Sequence, residues 1–131
     1  MQKTLTQAFD LSDELVLITG GGTGLGLGMA RCLIEAGAKV VIIGRREAIL
    51  QEAVEELGAA ACYRVHAVTD LESSRALITS IESEVGKVTT LINNAGHIVK
   101  KPFEETSDEE FETLVKTHVT GSFALSKAVI P

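Results

Sequence analysis

Leu15-Val16-Leu17-Ile18-Thr19-Gly20-Gly21-Gly22-Thr23-Gly24-Leu25-Gly26 is the stretch from which the fold is read. Its first five residues are apolar or β-branched without alternation, which suits a strand buried on both faces, as in a parallel sheet. The chain then runs through glycines at 20, 21, 22, 24 and 26 into a helical pattern carrying Met29, Cys32, Leu33 and Ala36 inward. Gly37 stands where a left-handed residue commonly ends a helix. Strand, glycine turn and helix in this order predict the first part of a βαβ unit.

The pattern repeats downstream. Val40-Val41-Ile42-Ile43 is a second strand, closed by Gly44 and Arg45. From Glu47 a helix is expected with Ile49, Ala53, Val54 and Leu57 on one face, Gln51, Glu52, Glu55 and Glu56 on the other, and Gly58 as its stop. Cys62–Ala67 is a weaker strand whose alternation of Tyr63, Arg64, Val65 and His66 suits a sheet edge. Thr69-Asp70-Leu71-Glu72 has the spacing of a capping box, leading into Leu71, Leu77, Ile78, Ile81 and Val85 before Gly86. Thr90–Asn93 is the fourth strand. Ser107-Asp108-Glu109-Glu110 is a second capping box, opening a helix expected to turn Phe111, Leu114, Val115, His118 and Phe123 inward. Right-handed crossovers with a reversal after the third strand predict an α/β, doubly wound parallel sheet of order 3-2-1-4, helices on both faces. Such a sheet is incomplete, and its unpaired fourth-strand edge leads us to expect marginal stability, self-association or completion by another segment.

The glycine turn carries chemistry as well as geometry. Glycine allows the tight turn, allows an anion to approach bare N–H groups at the positive end of the helix, and allows that helix to lie close on the strand. A flexible connector is the competing explanation, but five glycines exceed what a connector needs. Thr19-Gly20-Gly21-Gly22-Thr23-Gly24-Leu25-Gly26 resembles the TGxxxGxG fingerprint of the short-chain dehydrogenase/reductase family. Asn93-Asn94-Ala95-Gly96 resembles that family's NNAG signature and follows the fourth strand, as it does there. The resemblance runs from about Asp10 to the end of the chain. It implies a Rossmann-type fold, with residues 1–131 forming an NAD(P)-binding domain. Gly20, Gly22, Thr23, Gly24, Leu25 and Gly26 would hold the pyrophosphate, Asn94 would brace the central strands, and Ala95 and Gly96 would pass near the ribose.

An NAD site would place an acid at the end of the second strand, to hold the ribose 2′-hydroxyl. Gly44-Arg45-Arg46 stands there instead. Guanidinium groups favour a 2′-phosphate by charge and bidentate geometry, so NADP(H) is expected over NAD(H). The alternative is that Arg45 and Arg46 are solvated helix-start residues, although cations at that end oppose the macrodipole. The family usually carries Asp or Asn just before the Val that follows the third strand, for the adenine. Here the pair is Ala67-Val68, which leaves the backbone near Val68 as the adenine contact.

In the family a Ser and a Tyr-x-x-x-Lys pair perform the proton chemistry. The one tyrosine here, Tyr63, is followed four residues on by Ala67 and does not fit. No catalytic residue is therefore assigned; by the resemblance the family's three would lie beyond Pro131, and the chain would be the cofactor-binding half. His118 stands where the family commonly has an Asn that bends the helix locally and holds a water of the proton relay. A proton-carrying role is open to it, as is a structural role as a half-buried histidine on the helix's inner face.

Composition narrows the partners. The 131 residues carry 18 acids against 12 Lys+Arg, a formal charge of −6, which argues against nucleic acid. Two cysteines and three scattered histidines give neither a disulfide framework nor a metal-ligand spacing. No secretory or membrane-spanning run is seen, and a cytoplasmic location with no membrane contact is expected. The resulting expectation is an NADP(H)-dependent oxidoreductase interconverting a small-molecule alcohol and a carbonyl, homo-oligomeric in the full-length family member. The alternative is a non-catalytic dinucleotide-binding fragment or sensor; an epimerase on the same fold is disfavoured by the NNAG signature.

Overall fold

The computed structural model describes residues 4–131. After a short helix α1 (Leu5–Ala8) come β1 (Leu15–Thr19), α2 (Gly24–Glu35), β2 (Lys39–Gly44), α3 (Glu47–Leu57), β3 (Ala61–Val65), α4 (Ser74–Glu84) and β4 (Thr90–Ile92). A 3₁₀ turn at Phe103–Glu105 precedes α5 (Asp108–Val115), a π turn (Lys116–Thr120) and α6 (Gly121–Val129). The four strands form one sheet of order β3-β2-β1-β4, all parallel, with Leu17 opposite Val41 on one side and Leu91 on the other.

Side chains alternate across a strand, so an unbroken apolar strand must be covered on both faces. Leu15, Leu17, Val41 and Ile43 pack under Ile78 and Ile81 of α4 and Leu125 and Ala128 of α6. Val16, Ile18, Val40 and Ile42 pack under Ala30 of α2 and Leu50 and Ala53 of α3. The expected architecture is therefore observed, helices on both faces included. Two details of the α2 and α3 patterns differ: Leu50, absent from the expected face, is a core residue, and Cys32 is exposed.

Several boundaries move. β3 ends at Val65, although the His66 N–H still reaches the Gly44 carbonyl at 2.8 Å, and β4 stops at Ile92, one residue early. The Ser107–Glu110 capping box forms, with reciprocal bonds of 3.2 and 2.9 Å. The box expected at Thr69–Glu72 does not: α4 starts at Ser74, and the Asp70 carboxylate accepts the Ser73 N–H at 3.4 Å. A short acidic side chain that bonds its own downstream backbone makes a turn and delays the helix. A third box, Thr4 with Gln7, opens α1 and was not anticipated.

The largest correction concerns the last helical stretch. Phe111, Val115, Val119 and Phe123, at four-residue intervals, are 60, 37, 59 and 68% exposed. The buried face is Thr117, Gly121, Leu125 and Ala128. Gly121 decides it: a Cβ there would lie 2.6 Å from the Val68 carbonyl oxygen, so the helix docks through its smallest residue. Large side chains do not fit that approach, and hydrophobicity alone picked the wrong face.

Candidate functional site

A cleft of about 320 Å³ opens over the carboxyl ends of the strands, where the chain reverses direction in the sheet. Gly20, Gly22 and Thr23 of the first turn, Ile43 and Gly44 at the end of β2 with Arg45 and Arg46 after it, and Val68 and Thr69 after β3 form much of its wall. Ala95, Gly96 and His97 after β4 close the opposite side, with Thr113 and Thr117 above them.

The glycine turn is built as its residue types require. Gly20 and Gly24 have φ of +64° and +53°, which a side chain would strain. Gly26 sits so near the turn that a Cβ would collide with the Gly20 carbonyl oxygen and lie 2.6 Å from Asn94 Nδ2. Around Gly24 there is open space. The α2 N-terminus above it has Thr23 in the N-cap position with no side-chain capping bond and no acid in the first turn. Its leading N–H groups thus have no acceptor from the cap side chain, and Thr23 beside them lines the cleft, an arrangement suited to an anion.

Asn94 and Thr19 lock β4 to that turn. Asn94 Nδ2 donates to the carbonyls of Thr19 and Gly20 at 3.1 and 3.2 Å. The buried Thr19 hydroxyl accepts the N–H groups of Asn94 and Ala95 at 2.9 and 2.8 Å and donates to the Ile92 carbonyl at 3.5 Å. One hydroxyl thereby spends its donor and both acceptor sites on the strand ends that carry the cleft. From the sequence, Thr19 is only the last residue of the strand and the first of the fingerprint, with no bonding role assigned.

Gly20, Gly22, Thr23, Arg45, Arg46, Val68, Ala95 and Gly96 line the cleft together. Gly24, Leu25, Gly26 and Asn94 do not line it; Gly26 and Asn94 shape the turn from behind, and the Leu25 side chain is exposed. Arg45 and Arg46 are exposed, and neither pairs with a carboxylate among the described residues.

His118 requires a correction. It is an exposed residue in the middle of the π turn and not a half-buried one facing the core. Its Nε2 lies 3.1 Å from the backbone nitrogen and 2.8 Å from the carbonyl oxygen of His97. The local helix distortion that the resemblance implied at this position is present as that π turn.

Hydrophobic periodicity missed His66. It is 7% exposed on the cleft wall, its Nδ1 lies 3.4 Å from the Ser73 hydroxyl, and its Nε2 has no partner among the described residues. Burial pushes its pKa below the usual histidine value, and the Asp70 carboxylate opposes that shift. Asp70 is itself held below the usual carboxylate range, first by its bond from Ser73. Gly121 and Thr117 were missed as well; a glycine within a helical pattern was the one signal available for the former.

Comparison with known proteins agrees with this geometry. The family model for short chain dehydrogenase matches residues 14–131. The NADP-dependent (R)-specific alcohol dehydrogenase of Lentilactobacillus kefiri is 36% identical over 115 residues, 86% of this chain and 46% of that protein. Gluconate 5-dehydrogenase of Gluconobacter oxydans is 36% identical over 124 residues, 92% of this chain and 48% of that one. The crystal structure of 3-ketoacyl-(acyl-carrier-protein) reductase from Brucella melitensis, complexed with NADH, superposes with a TM-score of 0.88 at 35% identity, covering 93% of this chain and 50% of that chain. The chain thus spans about half the length of the relatives it matches. Fold, glycine turn, NNAG strand end and family match converge: the chain belongs to the short-chain dehydrogenase family.

Proposed function

We propose that the chain supplies the coenzyme-binding part of an NADP(H)-dependent oxidoreductase that interconverts a small alcohol and its carbonyl. The observation that carries this is the pairing of an α2 N-terminus without a side-chain cap over a glycine cradle with two guanidinium groups that have no carboxylate partner among the described residues, on the same cleft. The first suits the diphosphate, and the second suits a further phosphoryl group on the adjoining ribose. Relatives differ in coenzyme: one is named as NADP-dependent and another was crystallised with NADH, so the choice rests on Arg45 and Arg46. Bound in this cleft, the nicotinamide would give or take the hydride; the chain's own part is to hold the coenzyme and orient it. Gly20, Gly22, Thr23, Gly24, Leu25 and Gly26 form the diphosphate turn, Val68 backs the adenine, and Ala95 and Gly96 flank the ribose. Asn94 keeps the turn and the fourth strand in register.

Titration followed by the coenzyme's own fluorescence tests the reading. The chain is expected to bind NADPH at least about tenfold more tightly than NADH, since a charge-assisted bond contributes roughly 1.5–3 kcal/mol. Arg45→Ala with Arg46→Ala should erase the preference while leaving NADH binding and the circular dichroism spectrum unchanged. Equal affinities in the unsubstituted chain, or no binding at all, would overturn it.

A second reading, a binding module without catalysis, is favoured by the placement of Tyr63. Its hydroxyl donates to Glu47 at 3.0 Å and accepts from Gln51 at 3.1 Å, and it takes no part in the cleft wall. Turnover of a carbonyl compound by this chain would exclude the binder; coenzyme binding without turnover would support it.

We also propose that a second copy covers the exposed stripe Phe111, Val115, Val119 and Phe123. Asp108 precedes the stripe and Lys127 follows it, both exposed, so an antiparallel two-fold contact sets each acid against the partner copy's lysine. Sedimentation velocity should show a dimer that Val119→Lys dissociates by about tenfold or more. An unsubstituted chain that is monomeric at high micromolar concentration would refute the contact.

A further inference from the structure

We infer that Tyr63 is a positioning residue for coenzyme choice: its hydroxyl holds the Glu47 carboxylate off Arg45 and Arg46 and so leaves both guanidinium groups to a ribose phosphate. This rests on the reading that the cleft takes a dinucleotide, but the bond from Tyr63 to Glu47 is present without one.

The arginines have a competitor beside them. Glu47 directly follows Arg46 and is the acid nearest to both along the chain. All three are exposed, and both arginines precede the first helical residue, so helix geometry does not keep their side chains apart from that carboxylate. A carboxylate paired with them would occupy the donors and cancel the charge that a phosphate needs. Among the described residues, however, Glu47 forms no ion pair with either. The acid serves the helix, since it is the one acidic residue in the first turn of α3, where negative charge is favourable. Where its charge points is decided by a different element.

Tyr63 makes that decision. It lies opposite Ile42 in the β2–β3 register, and its side chain packs against the core cluster that includes Leu50 and Ala53 of α3. The ring is thereby fixed, and its hydroxyl donates to Glu47 Oε1 at 3.0 Å. Gln51, one helical turn after Glu47, donates its Nε2 to the same phenol oxygen at 3.1 Å. With the amide supplying a donor, the phenol proton is committed to the carboxylate, and hydrogen bonds to a charged acceptor are the stronger kind. The negative charge is therefore tied to β3, the edge strand of the sheet, by side chains of two elements. Arg45 and Arg46 line the cleft, whereas Glu47, Gln51 and Tyr63 do not.

The experiment compares the unsubstituted chain with Tyr63→Phe, Glu47→Gln and the double variant. Phenylalanine keeps the packed ring and removes only the hydroxyl. Two quantities are read: the dissociation constants of NADPH and NADH, and the nuclear magnetic resonance shifts of the Arg45 and Arg46 Nε–H groups without ligand. Tyr63→Phe is expected to weaken NADPH by about 2- to 5-fold, the size of one exposed ion pair, and to leave NADH within about 1.5-fold. The Nε–H shift of at least one arginine should move in the same variant. In the Glu47→Gln background, where no charge is left to release, Tyr63→Phe should change neither quantity. Equal weakening of both coenzymes would assign Tyr63 a merely structural role and overturn the inference. So would unchanged NADPH binding in Tyr63→Phe, or the same loss in the Glu47→Gln background. If the unsubstituted chain binds neither coenzyme, the dinucleotide reading fails; the arginine shifts then judge the tie by themselves, and shifts unmoved by Tyr63→Phe would overturn it.

Discussion

Gly26→Ala should lose about 3 kcal/mol or more of stability and weaken coenzyme binding by more than tenfold, the largest effect expected of any single methyl group in the chain. The added Cβ meets the Gly20 carbonyl oxygen and lies 2.6 Å from Asn94 Nδ2. Neither is the free end of a flexible side chain: the first is backbone of the turn, and the second is tied to the Thr19 and Gly20 carbonyls. The strain can be relieved only by lifting α2 off the turn or by breaking the Asn94 bracket, and both displace the turn residues Gly20, Gly22 and Thr23 that line the cleft. Gly28→Ala is the control, because it lies in the same helix, at an ordinary φ, with open space around it. That change should be neutral or stabilise by up to about 1 kcal/mol through helix propensity. Urea midpoints for the two variants, read beside NADPH titrations, decide the matter. A Gly26→Ala protein as stable as the Gly28→Ala protein would show that α2 does not need its close approach.

Thr19→Val is expected to cost about 2–4 kcal/mol, the second largest effect. The shape is retained and three hydrogen bonds are lost, two of which leave the N–H groups of Asn94 and Ala95 without their acceptor. An unsatisfied donor out of water costs roughly 1–3 kcal/mol, and partial exposure of these two residues places the sum below the simple total. Thr19→Ser keeps the hydroxyl and loses one buried methyl, so it should stay within about 1 kcal/mol of the unsubstituted chain. Chemical denaturation of the three proteins checks the order. If valine proved as stable as serine at this position, the hydroxyl would not be what joins the first and fourth strands.

The two glycine-rich signatures differ in how much of their role a linear reading reveals. That a strand ends, a glycine turn follows and a helix comes after it is legible from residue types, because the left-handed angles of Gly20 and Gly24 favour glycine; that the helix already begins at Gly24, inside the run read as the turn, is not. That Gly26 and Asn94 touch is not legible, since they come from separate elements and meet only when β4 lies beside β1. Arg45 and Arg46 could be placed at the cleft because they end a strand whose direction the βαβ rule fixes. His66 and Thr117 were not found, because a buried polar residue has no periodic signature and its partners are contributed by other segments.

The last helical stretch shows the limit most clearly. Its start was legible, because a capping box is local chemistry between Ser107 and Glu110. Its orientation was not: the apolar stripe Phe111, Val115, Val119, Phe123 faces outward, and the helix docks through Gly121 against the Val68 carbonyl. A hydrophobic pattern states which residues prefer cover and not which neighbour provides it. For this protein, interactions spanning a few residues were enough to determine the strands, the glycine turn, the Ser107–Glu110 capping box and, through the handedness of crossovers, the strand order. Tertiary structure alone decided which helix face is buried, how Thr19 and Asn94 join the strand ends, and that His118 reaches His97. Those contacts join residues from 21 to 75 positions apart, and only packing of the finished sheet brings them within bonding distance.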